Sequence, residues 1–174
     1  DDHDDLWEYD FKSDSWAWKS EGATPRDTHS AVVYNGKMYI FGGWDKDLDR
    51  VNDLWEYNFA TNSWSKKTSG ASARNQHSAV VYDGKMYVFG GTDVTDYSLN
   101  DLWEYNIKSD TWSRKSDAPV ARENHSALVH NNKMYVTAGN VESVSSDEIE
   151  VSNFLLEYNF TNDTWSQKNS IPFV

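Results

Sequence analysis

A period of 48 residues constrains the fold of this chain more than any other feature. The hexapeptide His-Ser-Ala-Val-Val-Tyr begins at residue 29, returns unchanged at residue 77, and returns with two substitutions at residue 125. Self-similarity with a period of roughly 20–50 residues is typical of proteins built from small units that bury their apolar faces against one another. We therefore expect one array of such units.

Two further motifs keep the same period. The first is an apolar segment that ends in Gly42-Gly43 and again in Gly90-Gly91, and whose third copy has lost one glycine. The second is Leu-Trp-Glu-Tyr, which supplies Tyr57 and Tyr105 and varies in its last copy. A tryptophan follows seven residues after each tyrosine of this motif, namely Trp16, Trp64, Trp112 and Trp165. We expect all these positions to serve the architecture of the repeat.

Each motif predicts a β-strand, because it is short, rich in β-branched and aromatic residues, and bounded by Gly, Asn, Asp or Ser. The first two strands of a repeat, a and b, are separated only by Asn35-Gly36, Asp83-Gly84 or Asn131-Asn132. Such pairs tolerate the positive φ angles of a tight type I′ hairpin. Strand c follows a longer loop, and strand d follows a short polar turn. Each repeat thus predicts a four-stranded antiparallel meander.

Radial stacking buries both faces of such sheets, which is the arrangement of a β-propeller. The Gly-Gly pair after strand b, with Tyr and Trp at regular spacing downstream, resembles the kelch repeat over essentially the whole chain. The Arg-x-x-His-Ser-Ala and Asn-Asp-Leu-Trp-Glu-Tyr-Asn segments look most like repeats of leucine-zipper-like BTB adaptors and Rab-effector-type propellers. We predict an all-β, kelch-type propeller segment over residues 1–174. Its expected parts are an N-terminal c-d half blade (1–19) and three complete four-stranded antiparallel blades (20–67, 68–115 and 116–174).

Three and a half blades are fewer than the about four to eight of a closed propeller. We therefore expect either a piece of a longer kelch domain or a chain that associates through its open ends. An open arc exposes aromatic faces and unpaired strand edges, which favour association. The expected partners include the remaining blades of the same domain or a second copy.

Composition excludes several classes of function. The chain has no cysteine, which excludes disulfides, thiolate metal sites and cysteine nucleophiles. Its formal net charge of -12 disfavours nucleic acid and anionic membranes as partners, and favours a peptide or a basic protein surface. No apolar run approaches the ~20 residues of a membrane-spanning helix. We expect a cytoplasmic protein, although sequons at Asn124, Asn159 and Asn162 leave secretion open.

The recurring histidines are expected to be structural. His29, His77 and His125 occur once per repeat, in the same register, and each is followed by serine. A His-Ser step along one strand points the two side chains to opposite faces of the sheet, so the pair cannot form a catalytic dyad. We therefore predict no catalytic residues and no cofactor.

The acidic loops do not predict a metal site either. Five carboxylates match part of a calcium-loop register, namely Asp45, Asp47, Asp49, Asp53 and Glu56. Arg50, however, stands where that loop needs glycine for its turn. Asp93, Asp96 and Asp101 distantly resemble the carboxylate-rich loop of iron-dependent kelch enzymes. Solvated acidic loops are the expected outcome, with no bound metal.

Binding in repeat proteins is expected where the repeats differ. The b-c loops at 44–52, 92–100 and 140–153 differ from one another, as do the d-a loops around 68–73 and 116–120. In a meander both kinds of loop emerge on the same face, which we predict to bind a partner. Its candidate residues are Trp44, Asp45, Asp47, Asp93, Tyr97 and Glu142.

Three arginines are further candidates for partner binding. Arg26, Arg74 and Arg122 recur three residues before each repeat histidine, at the entry to strand a. One interpretation pairs them with nearby backbone or acidic groups. The other, implied by the resemblance to BTB-kelch adaptors, is a basic ring that contacts acidic peptides.

Together these features predict a non-enzymatic protein-interaction module that acts as a scaffold or as a substrate-recruiting adaptor. Two alternatives remain open at this stage. One is a kelch domain that regulates an attached enzyme, such as a phosphatase, and the other is a metal-dependent kelch enzyme.

Overall fold

The chain folds into β-structure. The computed structural model describes residues 4–47, 49–142 and 149–170, and the side chains of residues 142 and 149–151 lie outside that description. The described residues form strands, turns and loops, and none of them is helical. Accordingly, the described part of the chain contains no helix with the length and apolar character needed to cross a bilayer.

Three antiparallel sheets of four strands are the main elements, and in each the strands are ordered as they occur in the chain. The first blade consists of β4 (Ser30–Tyr34), β5 (Lys37–Phe41), β7 (Leu54–Asn58) and β8 (Ser63–Lys67). The second blade consists of β10 (Ser78–Tyr82), β11 (Lys85–Phe89), β13 (Leu102–Asn106) and β14 (Thr111–Arg114). The third blade consists of β15 (Ser126–His130), β16 (Lys133–Thr137), β19 (Phe154–Asn159) and β20 (Thr164–Ser170). These are the strands a, b, c and d expected for each repeat.

Four smaller sheets complete the structure. The half blade pairs β1 (Asp5–Asp10) with β2 (Ser15–Glu21), which correspond to strands c and d. Three short ribbons pair β3 (Arg26–Asp27) with β6 (Trp44–Asp45), β9 (Arg74–Asn75) with β12 (Thr92–Asp93), and β17 (Asn140–Glu142) with β18 (Ile149–Val151). The first two ribbons were not anticipated from the sequence, and they tie the entry of strand a to the exit of strand b.

The a-b hairpins have the turn geometry expected from their sequences. Asn35 and Gly36 adopt φ angles of 48° and 71°, and Asn131 and Asn132 adopt 47° and 60°. Two consecutive residues with positive φ give the turn a twist that matches the right-handed twist of the flanking strands. The turn fixes the register, so that Tyr34 lies opposite Lys37 and directly paired residues of the two strands share a face of the sheet.

The apolar cores lie between neighbouring blades. The core between the first and second blades consists of Tyr39, Phe41, Leu54, Ala71, Met86, Val88 and Tyr105. The core between the second and third blades consists of Val80, Tyr87, Phe89, Leu102, Ala118, Met134, Val136, Leu156 and Tyr158. Each core draws on two consecutive sheets, so a blade is stabilised by its neighbour.

An aromatic ring at the end of strand b anchors each of these cores. The ring of Phe41 lies 5.2 Å from Trp112 and 5.4 Å from His77. The corresponding ring of Phe89 lies 4.8 Å from Trp165 and 5.1 Å from His125. Burying a phenylalanine in this way stabilises the fold by about 2–3 kcal/mol.

The repeat histidines also join consecutive blades. Nε2 of His77 lies 2.8 Å from Oγ of Ser30 in the first blade, and Nε2 of His125 lies 2.8 Å from Oγ of Ser78 in the second. The serine partner therefore comes from the preceding repeat and not from the adjacent position in sequence. This arrangement supports the structural interpretation of the histidines.

The second glycine of each pair lies where the exit of strand b passes close to the entry of strand a in its own repeat. Gly91 has a φ angle of 90°, and its N–H donates to the carbonyl of Arg122 at 2.8 Å. A Cβ atom on Gly91 would lie 2.4 Å from the carbonyl oxygen of Asn75 and 2.8 Å from Cβ of His77. Both φ and the available space therefore require glycine here. In the third blade, Ala138 replaces the first glycine and adopts a φ angle of 59°.

We expect Gly91→Ala to destabilise the protein far more than Gly36→Ala. Both glycines have positive φ, but a Cβ on Gly36 would meet nothing within 4 Å. The turn substitution should cost about 1 kcal/mol from backbone strain alone, whereas the clash at Gly91 should bring its cost to roughly 3 kcal/mol or more. Urea unfolding of both variants measures the difference. Equal losses of stability would contradict the steric requirement for glycine at residue 91.

Stability should fall as the pH decreases below neutrality, because of the buried histidines. Burial, reinforced by repulsion from Arg74 and Arg122 respectively, lowers the pKa of both His77 and His125 to about 3. Between the unfolded pKa of about 6.5 and pH 3, the unfolded chain binds protons that the folded chain does not. The stabilisation is complete above about pH 6.5 and decreases by up to about 1.4 kcal/mol per pH unit for each histidine.

His77→Gln should therefore show a smaller loss of unfolding free energy between pH 6.5 and pH 5 than the parent protein. Denaturant titrations at several pH values measure this slope. His130→Gln is the matched control, since His130 is exposed, and should keep the parental slope. If His77→Gln also kept it, the acid sensitivity would have another origin.

Candidate partner-binding face

The meander topology places the b-c and d-a connections on one face of the blades, which we call the loop face, and the short a-b and c-d turns on the other. The contacts between loops agree with this. Arg50, in the first b-c loop, donates from Nε to Oδ1 of Asn75 at 2.9 Å, in the connection that leads to the second blade. It also donates from Nη2 to Oδ1 of Asp96 at 2.5 Å, in the next b-c loop. One guanidinium thus ties three connections together.

Trp44 supports this arginine. The guanidinium carbon of Arg50 lies 4.6 Å from the centre of the Trp44 ring, and Trp44 is only partly exposed. The cation stacked on the indole and the ion pair to Asp96 hold the two loops in a fixed relation. Trp44 therefore contributes to the loop face as a platform beneath Arg50.

Asp45 and Asp93 shape their loops in the same way. Oδ1 of Asp45 accepts hydrogen bonds from the N–H groups of Asp47 at 2.9 Å and Asp49 at 3.0 Å. At the equivalent place, Oδ1 of Asp93 accepts from the N–H of Thr95 at 2.8 Å and of Tyr97 at 3.2 Å. Each aspartate holds a local turn through its own side chain, as Asp does in Asx turns.

The hydrogen bonds to Asp93 also set its charge. Burial opposes ionisation, but the hydrogen bonds from Thr95 and Tyr97, with Arg50 nearby, hold the pKa of Asp93 below its usual value. The carboxylate is therefore ionised at neutral pH and keeps its acceptor role. The shape of the second b-c loop is then independent of pH in the physiological range.

The tip of the second b-c loop is exposed. Tyr97 is 66% exposed and Val94 is 64% exposed, although both are large apolar side chains. The carboxylates of Asp47 and Asp96 are exposed nearby, with 65% and 81% of their side-chain surface accessible. The loop face therefore combines an exposed tyrosine with negative charge on loops of defined shape.

The structure corrects the partner-binding prediction for the arginines. The side chain of Arg26 is only 3% exposed, and that of Arg74 is fully buried. Both make two-pronged ion pairs, Arg26 with Asp53 at 2.6 and 3.0 Å and Arg74 with Asp101 at 2.7 and 2.8 Å. They hold strand a against the start of strand c in the same blade and do not form a basic ring open to a ligand.

Arg122 is buried like Arg74 but lacks this partner. Phe154 occupies the position that Asp53 and Asp101 hold in the other blades. The guanidinium of Arg122 donates to the carbonyl oxygens of Ala138 at 3.1 Å and Phe154 at 3.4 Å, and lies 4.6 Å from the Phe154 ring. Among the described side chains no carboxylate pairs with it, and its Nε has no hydrogen-bond partner. Burial lowers the pKa of Arg122 to about 10.

The carboxylates of the calcium-like register serve separate purposes. Asp53 binds Arg26, whereas Glu56 accepts hydrogen bonds from Lys37 and Tyr39 between the strands. In the second repeat, Asp96 binds Arg50 and Asp101 binds Arg74. No group of three His, Asp or Glu side chains within 4–47, 49–142 and 149–170 is arranged to hold a metal ion.

Sequence reasoning did not identify some residues of the loop face. Some of the residues that it did identify lie outside the described part of the chain. Arg50, Val94 and Asp96 were not among the candidates, although an arginine in an acidic loop was a usable signal. The side chain of Glu142 and the loop residues 143–148 lie outside the described residues. Asp45, Asp47, Asp93 and Tyr97 remain predictions as partner contacts.

A family model described as the KLHDC2/KLHL20/DRC7 Kelch-repeats domain matches residues 1–171. The chain belongs to the kelch-repeat family. This confirms the resemblance inferred from the Gly-Gly, Tyr and Trp spacing. Kelch propellers are in general protein-interaction modules.

Individual relatives match a shorter stretch. The chain is 48% identical over 44 residues to host cell factor 2 from Homo sapiens, a match that covers 24% of this chain and 6% of that protein. It is equally identical, over the same length, to the leucine-zipper-like transcriptional regulator 1 of Mus musculus, where the match covers 24% and 5%. These kelch relatives are therefore much longer than the matched stretch.

A solved structure confirms the propeller fold. The structure of YjhT superposes with a TM-score of 0.71 at 22% sequence identity, over 86% of this chain and 54% of the YjhT chain. The match thus spans about half of the YjhT chain.

Equivalent substitutions of two arginines should have opposite consequences. Arg74→Met leaves Asp101 buried without its partner, and we expect a loss of about 3–5 kcal/mol in the free energy of unfolding. Arg122→Met removes a buried charge that has no carboxylate partner, so no unpaired carboxylate is left behind. The free energy of unfolding should therefore stay within about 1 kcal/mol of the parent or increase. Denaturant unfolding of both variants measures this. A large loss for Arg122→Met would reveal an acidic partner outside the described side chains.

Proposed function

We propose that this kelch segment binds a partner protein through its loop face, and that the partner presents a basic peptide or surface. The observation that carries the proposal is the exposed Tyr97 on a loop held rigid by Asp93. The fold does not explain this exposure, because Tyr97 contributes its backbone N–H to the turn while its ring stays in solvent.

Preorganisation supports the proposal energetically. Ordering flexible loops on binding costs roughly 0.5–1.5 kcal/mol for each immobilised side chain. Here the turns at Asp45 and Asp93, and the link through Arg50, already fix the first two b-c loops. An exposed aromatic ring on a rigid support is the usual anchor of a protein interface.

Charge supports the choice of partner. The chain carries a formal net charge of -12, and Asp47 and Asp96 expose their carboxylates on the two b-c loops that Arg50 joins. Such a field attracts basic segments and repels acidic ones, mainly by raising the association rate. With the arginines buried, an acidic peptide finds no accessible arginine ring on the described part of this face.

The role in the cell that fits this activity is that of a scaffold or a recruiting adaptor. A propeller presents its loops from several blades on one surface, so a single partner segment can contact two or three of them. The first two b-c loops, joined by Arg50, form the part of the surface for which the structure describes every residue except residue 48.

An array of basic, neutral and acidic peptides tests the proposal, followed by titration of the peptides that bind. We expect binders to be basic, with Kd increasing at least about tenfold in Tyr97→Ala and several-fold in Asp47→Lys. The matched control is Phe11→Ala, since Phe11 is 90% exposed in a c-d turn on the opposite face. Equal affinities of Tyr97→Ala and Phe11→Ala, or a preference for acidic peptides, would refute the proposed site.

A further inference from the structure

A pocket opens on the face opposite the loop face, which carries the a-b and c-d turns and which we call the turn face. The pocket lies between the first two blades, has a volume of about 470 Å³, and is lined by residues 34–35, 83–85 and 106–108. These residues lie at the a-b turns of both blades and at the c-d turn of the second. The volume falls within the roughly 300–1,000 Å³ of ligand pockets.

The equivalent place between the second and third blades is filled by two aromatic rings. Tyr82, at the end of strand a, stacks on Phe160, with ring centres 4.1 Å apart and an angle of 8° between the planes. Phe160 directly follows strand c of the third blade, and both rings pack against the core between these blades. The repeat therefore accommodates a phenylalanine from a turn against this tyrosine.

Two substitutions leave this place open between the first and second blades. Tyr34 corresponds to Tyr82, but Ile107 stands in place of the stacking phenylalanine. Gly84 stands where the third blade has Asn132. Each change removes side-chain volume from the same region, because Ile107 and Gly84 both line the pocket together with Tyr34. The pocket is therefore the space of a missing aromatic ring, enlarged at the a-b turn.

The walls of the pocket suit an aromatic group. Tyr34 is 38% exposed, whereas its equivalent Tyr82 packs against a core. Ile107 packs against the core between the first two blades and so provides a fixed apolar surface. Stacking of two aromatic rings stabilises their contact beyond the burial of area alone. A ring that enters the pocket gains both contacts, with Tyr34 on one side and Ile107 on the other.

Exposed charges of both signs border the pocket. The lining includes Asp83 and Lys108, both of which are exposed. Lys85 also lines it, but its ammonium is engaged by Glu104 at 2.9 Å. The c-d turn that carries Lys108 is held by Oδ1 of Asn106, which accepts from the N–H of Lys108 at 3.0 Å. A ligand with one basic and one acidic group beside its aromatic ring thus complements the pocket.

We propose that the turn-face pocket binds an aromatic side chain of a partner protein, presented by a turn and flanked by one basic and one acidic residue. The ring stacks on Tyr34 and takes the place that Phe160 occupies at the next interface. The basic residue pairs with Asp83 and the acidic residue with Lys108. Because the ring at the next interface is itself carried by a polypeptide turn, we assign the pocket to a protein segment. The site lies on the opposite face from Tyr97 and does not depend on the function proposed for the loop face.

A second copy of this chain is the competing occupant. It presents Phe11, which is 90% exposed and stands between Asp10 and Lys12. Two copies, however, each carry a formal net charge of -12, and this repulsion opposes their association. A partner with a neutral or basic surface approaches without that repulsion, so we assign the pocket to another protein.

A blocked hexapeptide, Lys-Asn-Phe-Thr-Asn-Asp, is the probe, because it copies residues 159–163 of the third c-d turn behind a lysine. In isotope-labelled protein we expect it to shift the amide NMR signals of Asn35, Gly84 and Ile107 in a saturable manner. The same peptide with alanine in place of phenylalanine is the matched control, and it should leave these signals unchanged.

The protein variants at the pocket take residues that another repeat holds at the same position, so the fold should tolerate them. Ile107→Phe should fill the pocket and raise the Kd of the hexapeptide at least about fivefold, without lowering the melting temperature. Asp83→Asn and Lys108→Ala, which copy the first blade, should each raise the Kd about two- to fivefold. Tyr97→Ala, on the loop face, should keep the parental Kd.

Three results would overturn the proposal. The first is an unchanged Kd in Ile107→Phe, or NMR shifts confined to loop-face residues such as Val94. The second is N-acetylphenylalaninamide that binds as tightly as the hexapeptide, because the pocket would then be a site for a small aromatic molecule. The third is a dimer, seen by light scattering, that both Ile107→Phe and Phe11→Ala dissociate, because the occupant would then be a second copy.

Discussion

The burial of a strand-b aromatic ring against the next blade is the interaction on which the rest of this structure depends. Phe41 and Phe89 reach across the gap between sheets to contact a histidine and a tryptophan of the following repeat. The contact requires the sheets to approach closely, and Gly42 and Gly90 permit that approach, because a Cβ on either would clash with a carbonyl oxygen of the next repeat. A sheet of four short strands cannot bury both faces by itself, so stability resides in the interfaces between neighbours.

The third blade departs from this scheme at three linked positions. Thr137 stands in place of the strand-b phenylalanine, Ala138 in place of a glycine, and Phe154 in place of the aspartate that would pair with Arg122. Phe154 compensates in part by packing against the guanidinium and the adjacent core. The repeat can thus change the means by which one arginine is held while the strand order and the register of strands a, b and c stay the same.

The regular part of the fold could be predicted from the sequence because each strand is bounded by local signals. Asn35-Gly36 specifies its hairpin through backbone geometry alone, and the structure confirms it. The burial of Arg74 was harder to foresee, since its partner Asp101 is 27 residues away along the chain. That spacing recurs between Arg26 and Asp53, so the repeat did contain the signal.

Contacts between repeats and within irregular loops were less accessible to sequence reasoning. The His77–Ser30 pair joins positions 47 residues apart, whereas the sequence draws attention to the serine that directly follows the histidine. Likewise, the stacking of Arg50 on Trp44 depends on a loop path that no periodic pattern specifies. Local turn chemistry and periodic burial can be read from one sequence, but the meeting of two loops requires coordinates.

Asp45 and Asp93 each hold the turn of their loop, so the conformation of the loop does not depend on which side chains stand at its tip. In each loop one carboxylate satisfies two backbone donors, and in the second loop the side chains of Val94 and Tyr97 are left exposed. A position such as Tyr97 can therefore mutate without a penalty in stability, and repeats that share one scaffold are free to diverge in recognition. New specificity can then evolve by single substitutions at the loop tips without disturbing the interfaces between blades.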